Sequence, residues 1–471
     1  MNPDLGSVRD ALAAGMARHR ADLESLIRIP SISAQEFDPA QVRRAATAVR
    51  DLLEERGLQR AHLLEVDSAT GPGHPAVAAE HLAAGPDAPT VLLYAHHDVQ
   101  PPGDPADWTS PAFDPTEREG RLFARGAADD KAGILVHVAA VDAWLSAEGR
   151  LPVNVKVLIE GEEEIGSPNL HRLLERHGDA LQADLVVVTD SDNASVGVPA
   201  ITYALRGAAH CVVEVRALDH AVHSGMYGGP VPDAITGLIR VLAALTDDNG
   251  AVVAALAEDL RVPSLAELDR LVDVDEGVLR RDAGMLPGVE FIGDPTVSLA
   301  ERLWMRPSVT VTGIDAPSVA QAINALPPVA RAQISLRVAP GQDPVRVLER
   351  LVRHLEASTP WGLSVTVTRG AVADPYLVEP AGLVFEAAER ALAAAFGAPV
   401  VYQGVGGSIP LLAPLTQALG GAPALLTGVE DPDTRAHGPD ESLHLADWHS
   451  ACLGEAYLFA ELAAGGARIE G

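Results

Sequence analysis

The stretch Val91–Pro102, VLLYAHHDVQPP, decides the fold of this chain. Its apolar run, almost without polar interruption, is typical of a strand that is buried on both faces. The run ends in His96, His97 and Asp98, followed by two prolines. Because side chains alternate along a strand, we expect His96 and Asp98 on one side and His97 on the other. Ligands of open α/β sheets bind at the carboxyl ends of strands, but alone the pattern fits a metal-binding histidine and a hydrogen-bonded one equally well.

Downstream of this stretch, predicted strands alternate with predicted helices. The patterns indicate a helix at about 132–147, strands at Val153–Ile159 and Leu185–Val188, and a helix at about 169–177. This order predicts a parallel sheet with helical crossovers. Acidic residues follow the strands and precede the first helix; they are Asp129, Glu162, Glu163, Glu164, Asp190 and Asp192. We expect them at one edge of the sheet, beside the histidines, since parallel strands end on the same side.

A change in the apolar pattern indicates a second domain. From about Tyr203 apolar and polar residues alternate strictly, as in half-buried antiparallel strands. These runs are 211–216, 308–311 and 332–338. After Pro375 long Ala/Leu helices and short buried strands return. We therefore predict an α/β fold: a discontinuous domain at 1–201 and 377–471, with a mostly parallel sheet and helices on both faces, and an inserted α+β sandwich domain at 202–376.

Composition excludes several classes of function. The 471 residues include 65 acidic and 35 basic ones, for a formal net charge of −30. A protein this acidic lacks the excess of positive charge that binding to nucleic acid or to an anionic membrane requires. The two cysteines, Cys211 and Cys452, provide neither a disulfide framework nor a thiolate zinc site. No apolar run approaches the roughly 18 residues of a membrane span and no signal peptide is visible, so we expect a cytoplasmic protein.

The strand-end residues predict a metal centre. Besides His96, a second histidine, His437, lies in the late motif Ala436–Glu441, AHGPDE. Clustered carboxylates repel one another unless cations neutralise them. Imidazole and carboxylate ligands without a thiolate suit zinc, manganese or cobalt in a reactive site better than a structural zinc. Two such ions, held about 3.5–4 Å apart by a bridging carboxylate, polarise a carbonyl and activate a water. Of two adjacent glutamates such as Glu163 and Glu164, one can bind a metal ion while the other serves as general base.

Five motifs, in an order and spacing that cover nearly the whole chain, resemble those of the M20 family of metallopeptidases. They are Tyr94–Pro102 (YAHHDVQPP), Arg125–Lys131 (RGAADDK), Glu163–Ser167 (EEIGS), the strand end at Asp190 and Ala436–Glu441 (AHGPDE). The resemblance is nearest to the carnosinase-like dipeptidases. It implies a catalytic domain of the dinuclear zinc exopeptidase type, and an inserted domain that serves as lid and dimerisation domain.

The resemblance also implies a role for each residue of the cluster. One metal ion would be held by His96, Asp129 and Asp190, and the other by Asp129, Glu164 and His437. Asp129 would bridge the ions, Asp98 would orient His96, and Glu163 would be the general base. A cis peptide between Asp129 and Asp130 is a further implication.

Three neighbouring residues are expected to lie outside the metal centre. In similar sequences the ligand lies nine residues before a proline, here Pro199, which favours Asp190 and leaves Asp192 as the alternative. Glu162 is expected to be solvated or to cap a loop, and His97 to be structural.

The inserted domain carries motifs that resemble the same family. Leu218–Gly229, LDHAVHSGMYGG, resembles the lid motif, in which the later histidine, here His223, reaches the partner subunit's active site and steadies the oxyanion. Arg337 resembles the arginine that clamps the substrate carboxylate, for which a bidentate guanidinium is suited. A surface arginine on an edge strand remains the alternative. Other residues expected to bind substrate are Asn324, Gly407 and Ser408.

The residues together with the resemblance imply a homodimeric enzyme with two divalent ions per chain, zinc or else manganese or cobalt. It would hydrolyse a peptide bond in dipeptides or short peptides with a free C-terminal carboxylate. The first alternative is an N-acyl amino acid deacylase or a carboxypeptidase of the same family. A requirement for a free amine in the substrate would distinguish a dipeptidase from the deacylase. The second alternative is a non-catalytic metal-binding protein that has kept the fold. Glu163 argues against it, since a metal store needs no general base.

Overall fold

The computed structural model describes residues 5–68, 71–264, 267–268, 271–407, 409 and 411–465. The chain divides into two compact units. Unit 1 comprises Met1–Tyr203, Val378–Gln403 and Ile409–Gly471, and unit 2 comprises Ala204–Leu377 and Gly404–Ser408. The domain boundaries and roles expected from the sequence stay predictions.

Both units contain helices and strands. The helices are α1 (Leu5–Ile27), α2 (Pro39–Glu55), α3 (Lys131–Glu148), α4 (Leu170–Leu181), α5 (Ser224–Tyr227), α6 (Ala234–Ala243), α7 (Glu276–Asp282), α8 (Leu299–Trp304), α9 (Pro344–Ala357), α10 (Leu383–Phe396), α11 (Leu412–Ala418) and α12 (Leu445–Ala464). The strands are β1 (Gln59–Leu64), β2 (Asp67–Ser68), β3 (Gly71–Pro72), β4 (Ala76–His81), β5 (Thr90–His96), β6 (Thr116–Arg118), β7 (Arg121–Phe123), β8 (Asn154–Glu160), β9 (Leu185–Val188), β10 (Ala200–Leu205), β11 (Gly207–Arg216), β12 (Val222–His223), β13 (Ser308–Asp315), β14 (Ala325–Leu326), β15 (Val329–Val338), β16 (Ser364–Ala373), β17 (Tyr376–Leu377), β18 (Val401–Val405), β19 (Ala424–Leu426) and β20 (Ser442–His444). None of the described helices is long and apolar enough to cross a membrane.

The main sheet of unit 1 is built around β5, the strand that the opening stretch forms. Its strand order is β1-β4-β8-β5-β9-β19-β10. The four central strands, β8, β5, β9 and β19, run parallel to one another. Antiparallel strands flank them, β4 beside β8 and β10 beside β19. The predicted fold class, an α/β protein with a mostly parallel central sheet, is confirmed.

Helix α3 is the central helix of unit 1. Buried residues surround it on all sides, as in a helix enclosed by other elements. It shares one hydrophobic core with α1, α10 and α12 and with alternate residues of β5 (Val91, Leu93 and Ala95). The intervening residues Leu92 and Tyr94 are also fully buried. This explains why the strand reads as an uninterrupted apolar run, since both of its faces are covered.

A buried polar contact joins α3 to α12. His137 Nδ1 lies 2.8 Å from Glu455 Oε2, and both side chains are almost fully buried. The other ring nitrogen of His137 lies 2.9 Å from the backbone oxygen of Tyr94 in β5. The imidazole therefore links two helices and the central strand.

A small separate sheet in unit 1 has the strand order β20-β7-β6. β20 and β7 pair antiparallel, with Ser442 opposite Phe123. The loop that leaves β7 carries Asp129, and the loop that enters β20 carries His437. This sheet brings together two segments that are far apart in the sequence.

Unit 2 contains an antiparallel sheet of order β13-β15-β11-β16. Its odd-numbered β11 residues, such as Cys211 and Val213, share a core with residues of α6 and α9. The even-numbered residues on the opposite face are partly or fully exposed at His210, Val212 and Glu214. The strict alternation of the sequence arises from this one-sided burial.

Candidate metal centre

Three parallel strands end side by side at the candidate metal centre. The register places His96, the last residue of β5, opposite Glu160, the last residue of β8. Val188, the last residue of β9, lies opposite Tyr94, two residues before His96. Glu163 and Glu164 follow β8 in a single 3-10 turn, and Asp190 lies just beyond β9. These side chains converge because the carboxyl ends of parallel strands share one edge.

Asp129 comes from the loop between β7 and α3. In this loop Gly126 has a φ of 77°, and a Cβ at that position would lie 2.6 Å from Val99 Cγ1. Only glycine fits both the backbone conformation and the space. The Asp129–Asp130 peptide is cis, which confirms the prediction. Asp130 turns toward the strand, where its Oδ2 accepts a hydrogen bond of 3.1 Å from the backbone N–H of His96.

His437 comes from the loop before β20. Its φ of 62° is uncommon for a residue with a side chain. The turn around it is closed by Gly438, whose N–H donates to the backbone oxygen of Arg435 over 2.8 Å. The His437 side chain is 59% exposed, whereas those of Asp129 and Glu164 are 8% and 3% exposed. His437 therefore lies on the solvent side of the cluster.

Two sets of potential ligand atoms share Asp129. His96 Nε2 lies 3.0 Å from Asp129 Oδ1 and 3.9 Å from Asp190 Oδ2. His437 Nε2 lies 3.0 Å from Asp129 Oδ2 and 3.2 Å from Glu164 Oε2. Within each set of three residues the ligand atoms lie within 4.8 Å of one another. The two oxygens of Asp129 face different sets, which is the arrangement that a bridging carboxylate needs.

Asp98 and Gln100 orient the potential ligands His96 and Glu164 through hydrogen bonds. His96 Nδ1 lies 3.1 Å from the backbone oxygen of Asp98 and 3.5 Å from its Oδ1. A proton on Nδ1 leaves the lone pair of Nε2 facing Asp129. Asp98 Oδ2 also accepts from the backbone N–H of Glu164 over 3.1 Å. Gln100 donates to both carboxylate oxygens of Glu164, from its backbone N–H over 2.9 Å and from Nε2 over 2.8 Å.

The pKa values within the cluster indicate a site that is short of positive charge. Burial raises the pKa of Glu164 to about 7 and that of Asp190 to about 6, and the charge of Asp129 adds to both. Hydrogen bonds with Asp129 and Glu164 raise the pKa of His437 to about 10. Burial acts on Asp129 as well, but hydrogen bonds from His437 and His96 hold its pKa below its usual range. Protons and metal ions compete for these same atoms.

Glu163, the expected general base, lies beside the cluster. Burial raises its pKa well above the usual range; the charge of His96 opposes this, and those of Asp190 and Glu164 add to it. A raised pKa makes a carboxylate a stronger base. Nearby cations would lower the pKa again and keep the group ionised.

The three residues expected outside the centre are all held by other contacts. Asp192 belongs to neither set of potential ligands, and its carboxyl group pairs with that of Glu430. Glu162 is buried rather than solvated, and it caps a loop by accepting from the N–H of His74 over 2.8 Å and from Asn169. His97 points away, with Nε2 2.9 Å from the backbone oxygen of Pro75.

The donor atoms fit divalent metal ions. Nε2 of His96 is buried, and it faces carboxylate oxygens of Asp129 and Asp190 at 3.0 Å and 3.9 Å. With the proton on Nδ1, the Nε2 lone pair and these oxygens are all acceptors, and a metal ion bound between them would satisfy all three. The two sets supply two imidazoles and three carboxylates, with no thiolate among them. Zinc, manganese and cobalt accept this mixture of nitrogen and oxygen ligands.

In unit 2, His223 ends strand β12 and is exposed. Its Nδ1 accepts a hydrogen bond of 3.1 Å from the backbone N–H of Gly225. In the neutral ring the proton is then on Nε2, which can donate to a ligand. Asn324 lies beside this strand: its backbone oxygen accepts from the N–H of Ser224 over 3.0 Å.

Arg337 lies in β15 between two strands, opposite Ala208 of β11 and Ser308 of β13. It is partly exposed. Close to it, Arg206 donates to the hydroxyl of Ser308 over 3.0 Å and to the backbone oxygen of Gly406 over 3.3 Å. Arg206 therefore holds the segment that contains the expected binding residue Gly407. Ser408 lies outside the described residues.

The sequence indicates no role for a buried ion pair near the centre, which joins Arg125 and Glu441. Arg125 Nη1 lies 2.5 Å from Glu441 Oε2, and both side chains are at most 1% exposed. Both residues belong to the quoted motifs, but they are 316 positions apart. No periodicity or spacing links residues over such a distance. The sequence likewise indicates no role for Gln100, because its contact with Glu164 joins residues that are 64 positions apart.

Residues 92–457 match the model of a known protein family, described as Peptidase family M20/M25/M40. The match covers more than half of the chain, so the chain belongs to this family. The resemblance that the motifs indicate is confirmed.

Several relatives in the family are dipeptidases by name. The chain is 35% identical over 372 residues to the cysteinylglycine-S-conjugate dipeptidase of Corynebacterium striatum, a match that covers 79% of this chain and 80% of that protein. It is 31% identical over 359 residues to the human Beta-Ala-His dipeptidase, covering 73% and 69% of the two chains. Human carnosine dipeptidase 1 has a solved structure that is similar with a TM-score of 0.83 at 26% identity, covering 98% of this chain and 100% of that one.

Proposed function

We propose that this chain hydrolyses dipeptides with two divalent metal ions bound to the sets that share Asp129. The predicted enzyme class, a metal-dependent dipeptide hydrolase, is confirmed by the family and by its dipeptidase relatives. The number and identity of the ions are our proposal: two ions per chain, zinc, with manganese or cobalt as alternatives. The observation that supports it is the placement of the two Asp129 oxygens against different histidines.

Each residue of the centre has a defined task in the proposed reaction. Ions bound at the two sets would polarise the scissile carbonyl and lower the pKa of a water. Glu163 takes a proton from that water and passes it to the leaving amine. Asp98 keeps His96 in one tautomer, and Gln100 orients Glu164.

Residues of unit 2 would bind the substrate. We assign Arg337 to the C-terminal carboxylate, since a guanidinium binds that group through two parallel hydrogen bonds. His223 would donate from Nε2 to the oxyanion, because its Nδ1 is already an acceptor. Asn324 and Gly407 would complete the polar pocket, and Ser408 stays a prediction from the sequence.

We propose that a second copy of the chain pairs with unit 2. β13 is an edge strand, and its residues Val311 and Ile314 are 37% and 59% exposed. Val319 and Ile323, which follow it, are 96% and 80% exposed. An open strand edge with exposed apolar side chains is suited to a symmetric interface.

A substrate panel on the metal-reconstituted enzyme tests the activity. Cys-Gly and β-Ala-His represent dipeptides, their N-acetyl forms test the need for a free amine, and N-acetyl amino acids and longer peptides test the deacylase and carboxypeptidase alternatives. We expect hydrolysis of free dipeptides that is lost with a chelator and restored to different degrees by zinc, manganese or cobalt. Preferred cleavage of the N-acyl amino acids or of longer peptides would contradict the dipeptidase assignment.

A further inference from the structure

Glu441 makes contacts that extend beyond its ion pair with Arg125. Its Oε2 also accepts from the backbone N–H of Gly126 over 3.1 Å. Its Oε1 accepts from the backbone N–H of Ala128 over 3.1 Å and from that of Asp129 over 3.3 Å. One buried carboxylate therefore fixes the backbone of the loop that carries the bridging ligand.

Glu441 also belongs to the segment that carries His437, the exposed ligand of the second set. Its backbone oxygen accepts from the N–H of Ala124 over 3.0 Å, which extends the pairing of β20 with β7. Arg125 donates in addition to the backbone oxygen of Gly438, the residue after His437, over 3.2 Å. Glu441 and Arg125 therefore tie the Asp129 loop to the His437 loop.

We infer that Glu441 is a positioning residue that sets the affinity of the metal centre by holding the Asp129 loop and the His437 loop in register. This inference rests on the proposed metal site and assigns a task to a residue that touches neither substrate nor ion. The loops of Asp129 and His437 approach each other only through contacts between distant parts of the chain, so their spacing depends on the residues that join them.

A carboxylate is required at this position because all of its partners are donors. Arg125 and Gly126 donate to one oxygen, and Ala128 and Asp129 donate to the other. An ionised carboxylate accepts on both oxygens, whereas a carboxamide has a donor on one side. In Glu441→Gln the NH2 group must therefore face one of the two pairs of donors. The substitution keeps the size of the side chain and removes one half of its contacts.

The test is a metal titration of apo protein with zinc, against a chromophoric chelator as competitor. We expect Glu441→Gln to lower the affinity by roughly 10- to 100-fold, the range seen when the supporting partners of metal ligands are changed. The matched control is Asp431→Asn. Asp431 is also buried and pairs with an arginine next to the same small sheet, with Arg121 Nη2 at 2.8 Å and 3.0 Å from its two oxygens. Among the described residues its carboxylate contacts Arg121 and the backbone N–H of Asp433 and does not reach the Asp129 loop, so we expect lower thermal stability but wild-type metal affinity.

The possible outcomes separate this inference from the proposed function. Wild-type affinity in folded Glu441→Gln, or an equal loss of affinity in Asp431→Asn, would overturn the inference. A wild-type protein that binds no zinc would contradict the proposed function itself. If Glu441→Gln does not fold, the double variant Arg125→Gln with Glu441→Gln leaves no buried charge unpaired. We expect the double variant to bind zinc more weakly as well, since the carboxamide at position 441 still faces backbone N–H donors on both sides. Unchanged zinc affinity would overturn the inference.

Discussion

The opening stretch shows how far single residues can be predicted from the sequence. Strand alternation places His96 and Asp98 on one side, and the structure keeps their side chains 3.5 Å apart. The shorter contact, from His96 Nδ1 to the backbone oxygen of Asp98, could not be predicted, because alternation describes side chains only. The contact between Gln100 and Glu164 also depends on how two strand ends meet.

Glu163→Gln tests the residue assigned as the general base. We expect a loss in kcat of roughly 10²- to 10⁴-fold with little change in KM, because proton transfer fails while substrate binding remains. The ions should still bind, since Glu163 belongs to neither set of ligands. Steady-state kinetics and metal content per chain measure both quantities.

The neighbouring Glu162→Gln is the matched control. Glu162 is equally close in sequence, but it caps a loop through His74 and Asn169. A carboxamide oxygen can keep most of these contacts, so we expect near wild-type kcat. Equal losses in both variants would remove the special role of Glu163.

At the scale of secondary structure, long apolar or amphipathic elements follow directly from the pattern. The predicted strand Leu185–Val188 is β9, and the predicted helix at about 132–147 is α3 with one residue more at each end. β7 and β20 were not predicted, because three residues are too few to show a period. These two strands nevertheless join the loops of Asp129 and His437, so the sequence shows which residues form the site but not what aligns them.

Glu455→Leu tests the polar contact between α3 and α12. The substitution leaves the buried Nδ1 of His137 without its acceptor, so we expect the free energy of unfolding to fall by about 1–3 kcal/mol. Urea denaturation measures this change. Glu461→Gln on the same helix is the control, because Glu461 forms an exposed ion pair with Arg390 that should contribute about 0–1 kcal/mol. Equal effects of the two substitutions would show that the buried contact is not the main link.

For the whole molecule, composition predicts which classes of partner the protein does not bind better than it predicts the substrate. A net charge of −30 argues against nucleic acid and anionic membranes, but gives no substrate. The family was predictable because five motifs span both ends of the chain, and its confirmation rests on residues 92–457. The homodimer and the cytoplasmic location stay predictions, since neither follows from the contacts within one chain.

Mixing two inactive variants tests the dimer and the role of His223 together. If His223 acts in the partner's site, a hybrid of His223→Ala with Glu163→Gln has one site with both residues intact. Random exchange of subunits should then restore about a quarter of wild-type activity, since half of the dimers are hybrids with one working site. Mixed dimers that are verified by mass spectrometry and remain inactive would place His223 in its own subunit's site, whereas a fully active His223→Ala would place it outside the reaction.

The number of metal ions bound per chain, measured by mass spectrometry of the metal after gel filtration, tests the central claim most directly. Both proposed sets include Asp129, whereas Asp190 belongs to only one. We expect two ions in the wild type, one in Asp190→Ala and none tightly bound in Asp129→Ala, because only the last substitution removes a ligand from both sets. Two tightly bound ions in Asp129→Ala would contradict the bridging carboxylate and the two-metal site built on it.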